Sequence, residues 1–217
     1  MIKYVLFDLD GTLIDTEPGI ISGLKIALTK YGYEIPDYQV LKSCIGPPFL
    51  YSFPNILGMK QEDVQPAIDA YRQYYDKENG LFNSQVYPGI KELLGQLKDE
   101  GFGLLVCSSK PEPTCIKLLE NKGLAHFFDY ICGATLDGKI DNKVDVIKLC
   151  FSREPDLNAD NLVLVGDTKY DALGAKEAGI SCIGVSWGFG SQADLLDNGA
   201  VEVVDSCQEI FKYVKEH

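Results

Sequence analysis

Short apolar runs of strand length alternate along the chain with longer segments whose apolar residues recur at helical spacing. The runs lie at residues 4–7, 104–107, 130–132, 162–165 and 182–185. Near-continuous apolar runs separated by helices are what parallel strands buried on both faces require. Between them, residues 90–100 place Ile90, Leu93, Leu94 and Leu97 on one stripe, and residues 115–122 and 144–151 have similarly one-sided patterns. Gly101, Gly123 and Gly179 follow three of the helical segments, where a left-handed C-terminal cap is wanted. The pattern predicts an α/β fold, a Rossmann-like, doubly wound parallel sheet with helices on both faces.

The rhythm breaks between residues 16 and 82. That stretch holds two helix-like segments, 20–31 and 62–79, and no buried strand pattern. It predicts a small helical cap domain, residues 16–82, inserted after the first strand of an α/β core made of residues 1–15 and 83–217. Hinges are expected near Asp15-Thr16 and between Phe82 and Pro88, with Tyr87-Pro88-Gly89 marking re-entry into the sheet.

Charge narrows the partners. The 217 residues carry 32 acidic and 20 basic side chains, a net −12, which disfavours nucleic acid and anionic membrane surfaces. A small phosphorylated metabolite stays possible, because one cation and a lysine reverse the sign locally. The seven cysteines include no CxxC pair and several sit in apolar runs, as reduced core residues of a cytoplasmic protein do. No segment approaches the ~20 apolar residues that span a bilayer. Monomer and homodimer are both compatible with the sequence. His126 and His217 are the only histidines, so the chemistry falls to carboxylates.

Ligands of open α/β sheets bind beyond the carboxyl ends of the strands. Those ends carry Asp8-Leu9-Asp10-Gly11-Thr12, Ser108-Ser109-Lys110, and Gly166-Asp167-Thr168 with Asp171 soon after. Strand-terminal aspartates can simply cap the following helices. Convergent carboxylates, however, repel unless a cation sits among them, and Mg2+ is the hard ion suited to carboxylate, water and phosphate oxygens.

Asp8-Leu9-Asp10-Gly11-Thr12-Leu13, Ser108, Lys143 and Gly166-Asp167 with Asp171 resemble the four ordered motifs of the haloacid dehalogenase-like hydrolases. Tyr71-Arg72-Gln73-Tyr74-Tyr75, Tyr87-Pro88-Gly89, Ser109-Lys110-Pro111 and Gly184-Val185-Ser186-Trp187-Gly188 resemble the phosphoglycolate-phosphatase-like branch. The resemblance implies a Mg2+-dependent phosphatase of small monoesters, phosphoglycolate or a nucleoside monophosphate among them. Asp8 is then the nucleophile that becomes an aspartyl-phosphate, and Asp10 the general acid and base. Gly11 permits the turn between them and Thr12 braces it. Leu9, Thr12, Ser108, Ser109 and Lys143 are expected at the phosphate, and Asp8, Asp167, Asp171 and the Asp10 carbonyl at the metal. Lys110 competes with Lys143 for the role of charge donor. The loop 45–48 looks like a cap loop that reaches the leaving group, or it is a simple turn, and Arg72 is a candidate reader of substrate. Dehalogenation is disfavoured by Asp10, Asp167 and Asp171. A sugar phosphomutase is the alternative, although mutase relatives often carry an acidic residue at the position of Gly166.

Overall fold

The computed structural model describes every residue except Pro48 and Asn79. The chain divides into two compact units, one made of residues 1–15 and 86–217 and the other of residues 16–85.

The first unit is built on six strands: β1 (Tyr4–Phe7), β4 (Gly103–Pro111), β5 (Tyr130–Ala134), β6 (Leu162–Gly166), β7 (Ser181–Val185) and β8 (Glu202–Val204). They lie in the order β5-β4-β1-β6-β7-β8, and every neighbouring pair is parallel. Short strands β2 (Ile14–Asp15) and β3 (Gln85–Val86) carry the chain out of this unit and back. The apolar runs of the sequence pattern are explained by this burial: Val5, Leu6, Phe7, Leu164 and Val165 are fully inaccessible. β8 was not expected, because a three-residue edge strand opening on Glu202 has too short and too polar a pattern to be seen.

Parallel strands need crossovers, and right-handed ones fix which face each helix covers. Helices α7 (Lys143–Arg153), α8 (Lys169–Ala178) and α9 (Gln192–Asp197) close one face, where Val146, Ile147, Ala172, Ala175 and Leu195 join Leu6, Leu105, Leu164 and Cys182 in a single core. α5 (Ile90–Asp99) packs with α10 (Cys207–Glu216), and α6 (Glu112–Asn121) lies against β4 and β5. Gly101, Gly123 and Gly179 all adopt positive φ just past their helices. All seven cysteines are buried and carry free thiols.

The second unit contains α1 (Glu17–Lys30), α2 (Tyr38–Lys42), α3 (Phe49–Asn55) and α4 (Gln61–Arg72), which runs on into a π-helical turn at Gln73–Lys77. The short helices α2 and α3 lie in a stretch where the sequence showed no periodicity, being less than two or three turns long. Gly19 and Gly23 let α1 approach closely, since a Cβ would stand 2.3 Å from the Gly80 carbonyl and 2.7 Å from the Tyr71 ring. Tyr71 stacks on Tyr75 at 5.2 Å and meets Phe49 edge-on at 4.5 Å, so these tyrosines fill the interior of their own unit. Arg72 is exposed at the end of α4. The loop 45–48 includes Pro48 and so reaches outside the described residues. Among the described residues no helix is long and apolar enough to cross a membrane.

Because Leu164 is fully buried at the centre of the sheet, Leu164→Ala should destabilise the protein by about 2–5 kcal/mol in urea unfolding. A loss well under ~1 kcal/mol would show that this core is loosely packed.

Candidate active site

β1 and β6 are neighbours, yet the chain leaves β1 toward β4 and leaves β6 toward β7. This reversal opens a crevice at the carboxyl ends of the two strands, the place where doubly wound sheets bind ligands. Asp8 follows β1 and Asp167 follows β6. The Asp8 N–H donates to the Val165 carbonyl at 2.9 Å, which ties the two strand ends together.

Asp8, Asp167 and Asp171 each offer a carboxylate oxygen within 4.8 Å of the others, and all three are buried. Lys143, also buried, is the first residue of α7, whose N-cap Asn142 accepts from the Asp145 N–H. Its ammonium donates to Asp8 Oδ1 at 2.7 Å and to the Cys107 carbonyl at 2.8 Å, and stands 2.7 Å from Asp171 Oδ1. The side-chain stem crosses α8 at Gly174, where a Cβ would lie 2.6 Å from Lys143 Cγ. Burial alone would lower the Lys143 ammonium, but Asp171 and Asp8 outweigh it and hold it well above the ordinary lysine range. It is therefore charged.

Burial acts on Asp8 and Asp167. Burial pushes Asp8 up to about 6, against the Lys143 charge that lowers it and with Asp171 raising it further. Burial, with the Asp171 and Asp8 charges beside it, drives Asp167 well above the usual carboxylate range. Asp167 Oδ1 accepts from the Thr12 hydroxyl at 3.0 Å and Oδ2 from the Phe189 N–H at 2.8 Å, and these bonds offset only part of that cost. Ionised together, the three carboxylates would outnumber the one ammonium by two charges. A hard divalent cation fits both the charge and the all-oxygen donor set.

The helix-capping reading holds for one aspartate. Asp171 Oδ2 accepts from the Thr168 N–H at 3.0 Å and from the Thr168 hydroxyl at 2.8 Å, closing the first turn of α8. Its other oxygen faces Lys143, so Asp171 both caps and orients. The N-cap of that helix is Thr168 and not Asp167.

Asp10 stands apart from the cluster. Lys110 Nζ donates to both of its carboxylate oxygens, at 3.0 and 2.7 Å. Thr12 braces Asp167 across the strand boundary as well as standing in its own turn, which is closed by the Gly11 N–H on the Ile14 carbonyl. Ser108 is buried, its hydroxyl accepting from the Lys110 N–H at 3.3 Å, whereas Ser109 is exposed. The Leu9 side chain is fully buried, so only its backbone can face a phosphate.

Several contributors were not singled out from the sequence as parts of the site. The loop after β7 delivers the Phe189 N–H to Asp167, and Trp187 Nε1 donates to the Thr12 carbonyl at 3.1 Å. Gly188 and Gly190 make room for this, since a Cβ on either would come within 2.2–2.3 Å of Asp167. The alternation of glycine with Trp187 and Phe189 after a strand was the available signal.

The solved structure of a predicted phosphatase from Clostridium acetobutylicum superposes on all of this chain and all of its own with a TM-score of 0.91 at 40% identity. A curated 5'-nucleotidase of Pseudomonas aeruginosa is 36% identical over 191 residues, 88% of this chain and 86% of that protein. The tyrosine-protein kinase PtkA of Mycobacterium tuberculosis is 37% identical over 202 residues, 93% of this chain and 68% of that protein.

Gly11 has a φ of +85° and a Cβ there would stand 2.2 Å from Asp167 Oδ2. Gly11→Ala should therefore cost about 1–3 kcal/mol through overpacking alone, measurable by denaturant melts, and should displace Asp167. Unchanged stability would show that the turn is not close-packed on Asp167. With the residues matched by the family model running from 5 to 185, a span that holds Asp8, Asp10, Ser108, Lys143, Asp167 and Asp171, the chain belongs to the haloacid dehalogenase-like hydrolases.

Proposed function

We propose that this phosphoric monoester hydrolase transfers the phosphoryl group of a small phosphate ester to Asp8 and then to water, with Mg2+ as its cofactor. The observation that supports it above the rest is the buried triad of Asp8, Asp167 and Asp171 with Lys143 among them. Asp8 and Asp167 would hold the ion with the Asp10 carbonyl, and Asp171 would orient that set. When bound, Mg2+ offsets carboxylate repulsion and withdraws charge from the phosphoryl oxygens.

Each protein group then has a task. Lys143 engages Asp8 Oδ1, which leaves Oδ2 to attack phosphorus while the ester P–O bond breaks. Asp10 gives its proton to the departing alkoxide and later takes one from the water that attacks the acyl phosphate. Inorganic phosphate leaves and the Asp8 carboxylate is restored. Ser108 and the backbone around Leu9, Thr12 and Ser109 donate to phosphate oxygens. The helical unit is assigned the role of a substrate-selecting cap.

Hydrolysis is favoured over the mutase alternative by Gly166. A Cβ there would lie 2.4 Å from both Cβ and Cγ of Asp171, so this backbone has no room for the acidic residue that mutase relatives carry. The 5'-nucleotidase relative makes a nucleoside monophosphate the first substrate to try, followed by phosphoglycolate. The likeness to a kinase-named relative makes transfer of phosphate to tyrosine the outcome to score against release of free phosphate.

With Mg2+ and a panel of monoesters, Asp8→Asn should lower kcat by about 10⁴-fold or more, the scale on which removal of a nucleophile acts. Lys143→Ala should lower it by about 10²–10³-fold. Turnover by Asp8→Asn at the original rate contradicts the reading. Separately, Mg2+ at ~100 times its Kd should stabilise the wild type by about 2.7 kcal/mol in thermal melts and should do nothing for Asp167→Asn. An equal shift in that variant would place the ion elsewhere.

A further inference from the structure

Lys110 was weighed above only as a rival to Lys143, and the geometry gives it separate work. Its side chain is 9% exposed, and its ammonium spans both oxygens of Asp10, at 3.0 and 2.7 Å. Lys143 meanwhile is committed to Asp8, Asp171 and the Cys107 carbonyl. The two lysines thus serve the two halves of the site: one engages the carboxylate that attacks, the other the carboxylate that moves protons.

The backbone around Lys110 is shaped for this placement. The regular pairing of β4 with β5 ends at Ser108 opposite Gly133 and resumes only at Pro111 opposite Ala134. Such irregularities beside active sites re-aim side chains. Gly133 permits it, because a Cβ there would fall 2.7 Å from the Lys110 carbonyl and 2.6 Å from the Glu112 backbone. The Cys115 thiol contacts the Lys110 carbonyl at 3.4 Å, and the Lys110 N–H reaches the Ser108 hydroxyl at 3.3 Å. The strand end that carries Ser108, assigned above to the phosphate, therefore also carries the ammonium that grips Asp10.

We propose that Lys110 is the positioning residue of the general acid, holding the Asp10 carboxyl group where, once it has taken up a proton from solvent, it can pass that proton to the leaving-group oxygen. The proposal rests on the reading of Asp8 as nucleophile and Asp10 as proton donor. A lysine that acts through Asp10 must matter in proportion to how much the leaving group needs a proton. A lysine that neutralises the phosphoryl oxygens must matter equally for every ester.

Lys110→Met should be compared with wild type on p-nitrophenyl phosphate, whose leaving group departs without a proton, and on glycerol 2-phosphate, whose alkoxide requires one. The quantity to compare is kcat/KM, which stops at phosphoryl transfer to Asp8 and so excludes the later water step. The expected result is a fall of about 10²-fold on the alkyl ester against less than about threefold on the aryl ester. Asp10→Asn should show the same selective loss, Lys110→Met should add little to it, and Lys110→Arg should recover part of the alkyl activity. Retained aryl activity reports that the variant is folded. An equal loss on both esters, or losses that multiply in the double variant, overturns the proposal. Asp8→Asn, run alongside, separates the outcomes: if it keeps its aryl activity the nucleophile assignment fails, whatever Lys110 does.

Discussion

Three carboxylates held out of water around a single ammonium are the constraint on which the rest of this structure depends. Taking like charges into a protein interior costs several kcal/mol for each ion unless partners are supplied. Lys143 supplies one positive charge, touching Asp8 and Asp171, while Asp167 accepts, among the described residues, from the Thr12 hydroxyl and the Phe189 N–H. The arrangement is compatible with a bound divalent cation, and the same electrostatics suit it to the ligand of phosphate and metal proposed above. Stability and chemistry draw on one cluster.

Holding that cluster requires backbone approach closer than side chains allow. Gly11, Gly166, Gly174 and Gly188 each stand where a Cβ would meet Asp167, Asp171 or Lys143 at 2.2–2.6 Å. They belong to four different segments: the turn after β1, the end of β6, the middle of α8 and the loop after β7. The sheet order brings those segments together, since β1 and β6 are neighbours and the loop after β7 lies one strand further along. A parallel sheet that reverses its winding at β1 and β6 therefore provides the crevice and the glycines provide its floor.

The sequence showed most of this, for reasons that can be assigned. Strands buried on both faces must be apolar throughout, so the five longer ones were visible as runs, whereas Glu202–Val204 at the edge was too short and too polar. The long helices α1 and α4 were visible because periodicity needs several turns, and α2 and α3 are too short to display it. Asp8, Asp10, Asp167 and Asp171 were singled out by their places at strand ends. What the sequence could not divide was the work of two lysines, because linear spacing does not say which ammonium reaches which carboxylate. The contacts of Phe189, Trp187 and the Cys107 carbonyl were equally hidden, being made by loop geometry and backbone atoms.

The central claim is that the oxygen esterified during turnover belongs to Asp8, and a mass measurement addresses it directly. Asp10→Asn, mixed with Mg2+ and an aryl phosphate, retains the attack but lacks the base for the water step. The account predicts that it gains the mass of one phosphoryl group, that the modified peptide contains Asp8, and that hydroxylamine removes the group as it does from acyl phosphates. A phosphoryl group found on any other residue, or steady release of phosphate from a protein that never carries one, would contradict the account.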